Sequence, residues 1–173
     1  MTRFPIETAR LTLRPVAPGD AAALHRIVSD ETVVRMLADW PWPPNPSVTE
    51  ARCGSASAAA GDLVAVIQEG TVIGMISTVR NRLGYFLAAD AWGQGLATEA
   101  VRARINAAFQ APEVHYLESC VWEDNPGSLR VLQKCGFVQV GTCRGLSEAR
   151  GEMVPQLDLR LTRDDWSACD WAT

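Results

Sequence analysis

The alternation of apolar and polar residues along the chain predicts a succession of strands and helices. Residues 10–16 alternate apolar with polar positions, which is typical of a half-buried strand. Short apolar runs between turn residues predict six further strands, at 63–68, 72–78, 83–88, 115–122, 137–143 and 153–161. Apolar residues at helical spacing predict helices at 21–29, 31–37, 49–60, 96–109 and 126–135.

The segment 96–109 has the clearest helical pattern. One face is apolar and comprises Ala97, Val101, Ile105, Ala108 and Phe109. The opposite face is polar and comprises Glu99, Arg102, Asn106 and Gln110. Pro112 ends the helix, because proline lacks the N–H that a helix interior needs. One strand precedes this helix and another follows it, so we expect a parallel pair joined by a right-handed crossover.

The strands 63–68 and 72–78 are joined by Glu69-Gly70-Thr71, a short connection that predicts an antiparallel hairpin. An antiparallel hairpin beside a parallel pair makes the sheet mixed, so the fold class is α/β with a mixed sheet. The helices also have end signals: Asp20 is placed to cap the first, and Asn125 and Pro126 open the helix that ends near Gly136.

Two glycines, Gly93 and Gly95, lie between a strand and the first turn of the long helix. The first turn of a helix has free N–H groups and a partial positive charge, and glycine lets a ligand approach the backbone closely. This arrangement suits a phosphate or pyrophosphate. The alternative is a tight turn without a ligand. A P-loop needs a Gly-Lys pair, and the chain has none. A dinucleotide fingerprint needs Gly or Ala at the position that Thr98 occupies.

A proline-rich segment, residues 39–46, is expected to be neither helix nor sheet. Its two tryptophans, Trp40 and Trp42, are expected either to wall a pocket or to cap the core from outside.

Composition narrows the class of protein. The 173 residues are 47% apolar and 21% charged, as in an ordinary globular chain, and residues 1–173 are expected to form one domain. The net charge is −4 without a basic block, so we expect no nucleic-acid partner. No apolar run suits a membrane span or a signal peptide, so we expect no membrane association and a cytoplasmic location.

Cysteine and histidine usage argues against disulfides and metal. The five cysteines form no C-x-x-C pair, so we expect reduced thiols. There are only two histidines, His25 and His115, and no Cys/His cluster, so we expect no metal site. The chain has no G-x-S-x-G elbow, so no motif indicates a Ser-His-Asp relay.

Four blocks of the chain resemble one enzyme family. They are Gly84-Tyr85-Phe86-Leu87, the segment 92–100, Asn125-Pro126-Gly127-Ser128, and the segment 132–137 (L-Q-K-C-G-F). In this order and spacing they are similar to the GNAT N-acetyltransferases, and most similar to the RimJ/RimL-like branch. The resemblance covers nearly the whole chain, from the first strand to about Trp166.

The resemblance implies a mostly antiparallel sheet of about seven strands with helices on both faces. It also implies that the central parallel strands splay apart and that acetyl-CoA lies in the gap. The Q/R-x-x-G-x-G/A motif of the family maps onto residues 92–97, where Gly95 and Ala97 match and Trp92 departs. That departure removes one polar side chain from the phosphate site and leaves the backbone amides to bind.

The resemblance also implies roles for individual residues. The cofactor-binding set is Phe86, Leu87, Trp92, Gly93, Gln94, Gly95, Leu96, Ala97, Thr98, Asn125 and Ser128. The set expected at the acceptor is Trp40, Trp42 and Tyr85, in a pocket that involves the loops 40–46 and 144–152.

Catalysis by direct attack of an amine on the thioester needs a base and an acid. Glu118 is the first candidate for the base, with Glu123 and Asp124 as further options, and each is otherwise an ordinary exposed carboxylate. Some branches of the family use a tyrosine to protonate the departing thiolate, and Ser128 resembles a substitute for it; the alternative is a serine that only belongs to the first turn of the helix. Asn125 is expected to contact cofactor or substrate and to cap the helix. Cys135 is expected to belong to the core.

The resulting function is transfer of acetyl from acetyl-CoA to a primary amine, either a protein N-terminus or a small molecule. One alternative is a non-catalytic CoA-binding or sensing module on the same fold. Another is a dinucleotide-dependent oxidoreductase, against which Thr98 counts. A homodimer is a further expectation, because dimers are common among related proteins and among soluble proteins in general.

Overall fold

The computed structural model describes residues 3–173, and its strands form one eight-stranded sheet. The strands are β1 (Ile6–Glu7), β2 (Thr12–Pro15), β3 (Leu63–Gln68), β4 (Thr71–Val79), β5 (Arg82–Leu87), β6 (Tyr116–Trp122), β7 (Val138–Ser147) and β8 (Glu152–Thr162). Their spatial order is β1-β2-β3-β4-β5-β6-β8-β7. Only β5 and β6 run parallel, and the other neighbours are antiparallel. The predicted mixed, mostly antiparallel sheet is therefore confirmed.

Seven α-helices connect and follow these strands in the described part of the chain. They are α1 (Ala21–Val28), α2 (Glu31–Val34), α3 (Pro46–Cys53), α4 (Ala56–Ala59), α5 (Leu96–Phe109), α6 (Pro126–Lys134) and α7 (Arg163–Ser167). The long helix 96–109 was predicted with the bounds that it has. The helix predicted at 49–60 is wrong in part: the chain forms α3 and α4, because the side chain of Ser55 caps a new helix by accepting from Ala58 N.

The segment 144–152 is not the loop that the sequence predicted. Residues 144–147 continue β7 and pair with β8, and Glu152 already belongs to β8. Only the four residues between the strands form the turn, where Gly151 has a φ of 66°. The polar composition of this segment reflects its exposed edge position, since β7 is the last strand of the sheet. The short elements β1 and α7 were not predicted.

Helices cover both faces of the sheet. The larger core packs α5 and α6 against one face, through residues such as Val101, Ile105 and Leu132. The second core packs α1 to α4 against the opposite face, near Ala65 and Phe86. Side chains of successive strand residues point to opposite faces, so Phe86 and Leu87 contribute to different cores.

The parallel strands β5 and β6 are in register at one pair only, Arg82 with Glu118. Beside that pair, Glu118 N donates to Asn81 O at 2.8 Å, and Ser119 Oγ donates to Leu83 O at 2.9 Å. Beyond it no further residues of the two strands are in register, so the strands separate toward their carboxyl ends. The implied splay is confirmed, and it leaves a gap beside Phe86 and Leu87.

The far end of α5 is fixed by the C-terminal helix. Arg163 Nη1 donates to Phe109 O at 2.8 Å, which satisfies a carbonyl that the helix end would leave free. The rings of Phe109 and Trp166 stack with centroids 5.0 Å apart, and Trp166 Nε1 donates to Asn106 Oδ1 at 2.8 Å. These contacts hold α5 in place, and with it the glycine turn at its beginning.

Asp20 is the N-cap residue of α1, as predicted, but its side chain makes no capping hydrogen bond to that helix. Its carboxylate instead forms a bidentate ion pair with Arg14, at 2.7 and 2.8 Å, and accepts from Ala17 N at 2.8 Å. Asp20 sits in the turn of helical geometry before α1, with its side chain directed back to β2. The hydrogen bond from Arg14 lowers the pKa of Asp20.

Asp20→Asn is expected to destabilise the protein by about 1–2 kcal/mol at neutral pH, because it removes a nearly buried carboxylate from its ion pair with the partly exposed guanidinium of Arg14. Since the folded-state pKa of Asp20 is lowered, its contribution is complete above the unfolded pKa of about 3.9 and is lost as the pH falls through the folded value. Urea unfolding of both proteins at pH 7 and near pH 3 measures this. A difference that persists undiminished at the lower pH would contradict the assignment.

Gly74 in β4 lies where a side chain cannot fit. A Cβ at this position would overlap the carbonyl oxygen of Phe86 and would lie 2.5 Å from Leu87 Cδ2. We expect Gly74→Ala to lower the free energy of unfolding by about 3 kcal/mol, because β4 and β5 must shift apart. Gly84→Ala is the matched control, since its Cβ would meet only the Ser77 hydroxyl at 3.1 Å. Equal losses for the two variants in denaturant unfolding would contradict this account.

Candidate active site

The glycine turn has the geometry of an anion site. Gly93 and Gly95 adopt φ values of 73° and 78°, in the left-handed region that glycine tolerates best. Gly95 is the N-cap of α5, and Leu96, the first helical residue, is fully buried. No heavy atom lies within 4 Å of the position that a Cβ of Gly93 would take. The free N–H groups of the first turn therefore lie next to open space at Gly93.

Arg10 lies against this turn, and no pattern in the sequence indicated this contact. Arg10 Nη1 donates to Gln94 O at 2.9 Å, and Arg10 Nη2 is 3.6 Å from the position that a Cβ of Gly95 would take. Its Nε also donates to Glu99 Oε2 at 2.7 Å. These contacts of Arg10 hold the glycine turn against the β1–β2 connection and place a guanidinium beside the free N–H groups. Because 84 residues separate Arg10 from Gln94, no local sequence signal could have found it.

Trp92 and Gln94, two predicted cofactor residues, have structural roles in the turn. Trp92 Nε1 donates to Leu87 O at 3.0 Å, although 48% of the residue is exposed. Gln94 Nε2 donates to Asp90 O at 2.8 Å. Trp92 thus ties the turn to the end of β5, and Gln94 ties it to the short connection that follows β5.

Ser128, Asn125 and Tyr85 come together at the start of α6. Asn125 is the predicted N-cap: its Oδ1 accepts from Ser128 N at 3.1 Å. Ser128 Oγ lies 2.9 Å from the hydroxyl of Tyr85, which projects from β5. Tyr85 was predicted to contact the acceptor, but the structure places it against Ser128, on the side of the sheet that α5 and α6 cover. The hydroxyls of Tyr85 and Ser128 are therefore in contact between β5 and the first turn of α6.

Burial keeps the hydroxyl of Tyr85 and the thiol of Cys135 protonated. Desolvation raises the pKa of Tyr85 well above its ordinary value, so its hydroxyl keeps its proton at neutral pH. Desolvation also raises the pKa of Cys135 to about 12, although Arg102 opposes this. Cys135 is fully buried, in keeping with its prediction as a core residue, and a neutral buried thiol is a poor nucleophile.

Glu118 does not approach this corner. It stands at the paired end of β5 and β6, and its Oε1 accepts from Arg160 Nη2 at 2.6 Å. A carboxylate that is ion-paired at the closed end of the gap does not have the position that a base requires. We therefore do not retain Glu118 as the base.

The two further carboxylates follow β6 at the open end of the gap. Asp124 is bidentate to Arg150, at 2.8 and 3.1 Å, and this hydrogen bonding lowers the pKa of Asp124. Arg150 Nε also donates to Arg35 O at 2.8 Å, so the β7–β8 turn is joined to the end of α2. In the described part of the chain, Glu123 is exposed and its carboxylate has no hydrogen-bonded partner.

The two tryptophans of the proline-rich segment differ. Trp40 is only 4% exposed, meets Phe86 edge to face with centroids 5.6 Å apart, and carries Arg52 over its ring at 4.4 Å. It is a core residue, which agrees with the second alternative from the sequence and leaves it little surface for an acceptor. Trp42 is 39% exposed and keeps a free surface.

Comparison with known proteins places these features in a family. A family model described as an acetyltransferase (GNAT) domain matches residues 10–138. The uncharacterized N-acetyltransferase p20 of Bacillus licheniformis is 29% identical over 175 residues, which cover 92% of this chain and 97% of that protein. No helix among residues 3–173 is long and apolar enough to cross a membrane.

Solved structures share the fold. RimJ of Mycobacterium smegmatis, in complex with CoA-disulfide, matches with a TM-score of 0.75 and 24% identity, over 90% of this chain and 83% of that chain. The ribosomal-protein-S5-alanine acetyltransferase of Vibrio fischeri matches with a TM-score of 0.80 and 19% identity, over 95% of this chain and 99% of that chain. Together with the family match over residues 10–138, these likenesses show that the chain belongs to the GNAT family of N-acetyltransferases.

Proposed function

We propose that the protein transfers an acetyl group from acetyl-CoA to a primary amine by direct attack in a ternary complex. The observation that carries the proposal is the gap between β5 and β6, which opens beyond Arg82 and Glu118 and has the glycine turn and the Ser128 hydroxyl at its open end. The solved structure of RimJ that shares this fold was determined with a CoA derivative, which supports the choice of donor.

The residues of the turn fit a pyrophosphate. The space at Gly93 is open, and the first turn of α5 offers N–H groups. Arg10, which is ion-paired with Glu99, holds the turn in place through the carbonyl of Gln94. Of the predicted cofactor residues, Gly93 to Thr98 would provide this cradle. The edge of β5 at Phe86 and Leu87 that faces the gap would pair with the amide groups of the pantetheine arm, as a further strand does. Trp92 Nε1, which donates to Leu87 O, would have to share or give up that carbonyl. Acetyl-CoA would supply the activated thioester.

Ser128 is proposed as the acid. The Tyr85 hydroxyl stays protonated and lies 2.9 Å from Ser128 Oγ, and either oxygen can be the donor. When Tyr85 donates, the proton of Ser128 points away from Tyr85. That proton is then available for the thiolate that departs from the acetyl group. Asn125 holds the first turn of α6 and so fixes the position of Ser128. Tyr85 is thus a positioning residue.

Glu123 is proposed as the base, acting directly or through a water molecule. An alkylamine has a pKa near 10 in solution, so it must lose a proton before it attacks. Glu123 follows β6 at the open end of the gap, whereas Asp124 is held by Arg150 and Glu118 by Arg160. A backbone N–H near Phe86 would polarise the thioester carbonyl.

Release of CoA thiol from acetyl-CoA tests the proposal, with N-terminal peptides, amino acids, diamines and aminoglycosides as acceptors. We expect turnover with at least one amine class and acetylation of that amine by mass spectrometry. Binding of acetyl-CoA without turnover on any amine would favour a CoA-sensing module. Proteins similar in fold include an acetyltransferase for a ribosomal protein, so N-terminal peptides belong in the first panel.

A further inference from the structure

The face of the sheet opposite α5 and α6 is only partly covered by helices. Helices α1 to α4 pack over the strands around β3 and β4 on this face. Farther along the sheet, on β5, β7 and β8, Arg82, Cys143 and Arg160 are exposed. The face that α5 and α6 cover holds the proposed cofactor turn and Ser128. That leaves the opposite face, on which Arg82, Cys120 and Asp158 lie, as the side from which an acceptor amine would enter the gap.

Arg82 is a cation without an anionic partner in the described part of the chain. Its Nη2 donates only to Cys120 Sγ, at 3.5 Å. Burial raises the pKa of Cys120, so this sulfur is a neutral and weak acceptor. Glu118, the register partner of Arg82, is taken by Arg160 at 2.6 Å.

Asp158, on β8, is an anion on the other side of Cys120 from Arg82. It lies directly opposite Cys120 in the β6–β8 pairing, so the two side chains share a face. Its Oδ1 accepts only from Cys143 Sγ, at 3.5 Å, and none of the ion pairs among residues 3–173 includes it. Arg82 and Asp158 thus flank one cysteine with opposite charges that do not neutralise each other.

The spacing of these charges suits the head group of an amino acid. Arg82 Nη2 is 3.5 Å from Cys120 Sγ, and the Cβ atoms of directly opposed strand residues lie about 5 Å apart, so the guanidinium and the Asp158 carboxylate are on the order of 9 Å apart. A carboxylate and an ammonium on one carbon atom, each with a hydrogen bond of about 3 Å, bridge that distance. Bidentate binding of a carboxylate is the interaction that arginine makes best.

We propose that the acceptor is a diamino acid whose carboxylate binds Arg82 and whose α-ammonium binds Asp158, so that its side-chain amine reaches the thioester. This inference rests on the proposed acetyl transfer. From Cys120 to Trp122, at the open end of the gap, the strand rises about 7 Å, which is comparable to an extended lysine side chain. A polycationic acceptor does not suit this surface, because Arg82 repels it.

The test compares lysine with cadaverine, which lacks the carboxylate, and with aminocaproate, which lacks the α-ammonium. We expect kcat/KM for lysine to exceed that for either analogue by about tenfold or more, with the acetyl group on the side-chain amine. Arg82→Gln should bring the ratio of lysine to cadaverine close to one. Asp158→Asn should do the same for the ratio of lysine to aminocaproate.

Arg80→Gln is the matched control, since it removes the same charge from the exposed β4–β5 turn and should leave both ratios unchanged. Equal kcat/KM for lysine and cadaverine in the unmodified protein, or a ratio that Arg82→Gln leaves intact, would overturn the inference. Acetylation of N-terminal peptides but of no diamino acid would overturn it as well, while the proposed function would stand. If acetyl-CoA binds and no amine of any class is acetylated, the proposed function itself is contradicted, and this inference falls with it.

Discussion

Ser128→Ala is expected to lower kcat by about 100-fold and to leave the affinity for acetyl-CoA nearly unchanged. The reason is that a positioned acid contributes about this much to proton transfer, while the backbone of the glycine turn supplies the binding. Steady-state kinetics give kcat, and thermal unfolding with the ligand gives the affinity. An acetyl donor with a more acidic thiol should shrink the loss, since its thiolate departs without needing a proton.

Two variants separate the acid role from a structural one. Tyr85→Phe removes the hydroxyl that lies 2.9 Å from Ser128 Oγ, and we expect a smaller loss of about tenfold. Ser167→Ala is the control, because Ser167 is exposed on α7 and donates only to Asp164 O. If Ser128→Ala keeps its full kcat, or loses activity equally with every acetyl donor, Ser128 is not the acid and serves only the helix start.

Gly93→Ala is expected to weaken binding of acetyl-CoA by at least about tenfold, which corresponds to about 1.4 kcal/mol. The φ of 73° costs an alanine about 1 kcal/mol in the free protein, which has room for the methyl group. In the complex, the same methyl group would stand where the phosphates approach the backbone. Isothermal titration with acetyl-CoA measures the change.

Gly70→Ala controls for backbone strain. Gly70 also has a positive φ, 78°, and open space at its Cβ, but it lies in the β3–β4 hairpin. Both variants should lose similar stability, and only Gly93→Ala should lose affinity. A loss of affinity that is the same in both variants would show that the turn around Gly93 does not contact the ligand.

Local patterns were sufficient to predict most of the fold. The α5 bounds, the antiparallel β3–β4 hairpin and the Asn125 cap depend on periodicity and on residues close together in sequence, and all three are confirmed. The break between α3 and α4 was missed, because Ser55 competes for the helix start within an alanine-rich run that has helical propensity throughout.

The site was less predictable because it depends on contacts between distant segments. The hydroxyl pair of Tyr85 and Ser128 joins residues 43 positions apart, and Arg10 meets the glycine turn from 84 positions away. The ion pair between Arg160 and Glu118 likewise could not be foreseen from the spacing of charges. A residue type at a motif position indicates a candidate, whereas its partners decide whether that candidate is free to act.

Thermal unfolding in the presence of acetyl-CoA, free CoA or NAD tests the central claim most directly, namely that the glycine turn and the gap between β5 and β6 hold the acyl donor. At about a hundredfold excess over its dissociation constant, a ligand of the native state adds about 2.7 kcal/mol of stability. For a chain of this size that raises the melting temperature by about 5–10 °C. We predict this increase with both CoA species and none with NAD. No increase with either CoA species at millimolar concentration would contradict the account.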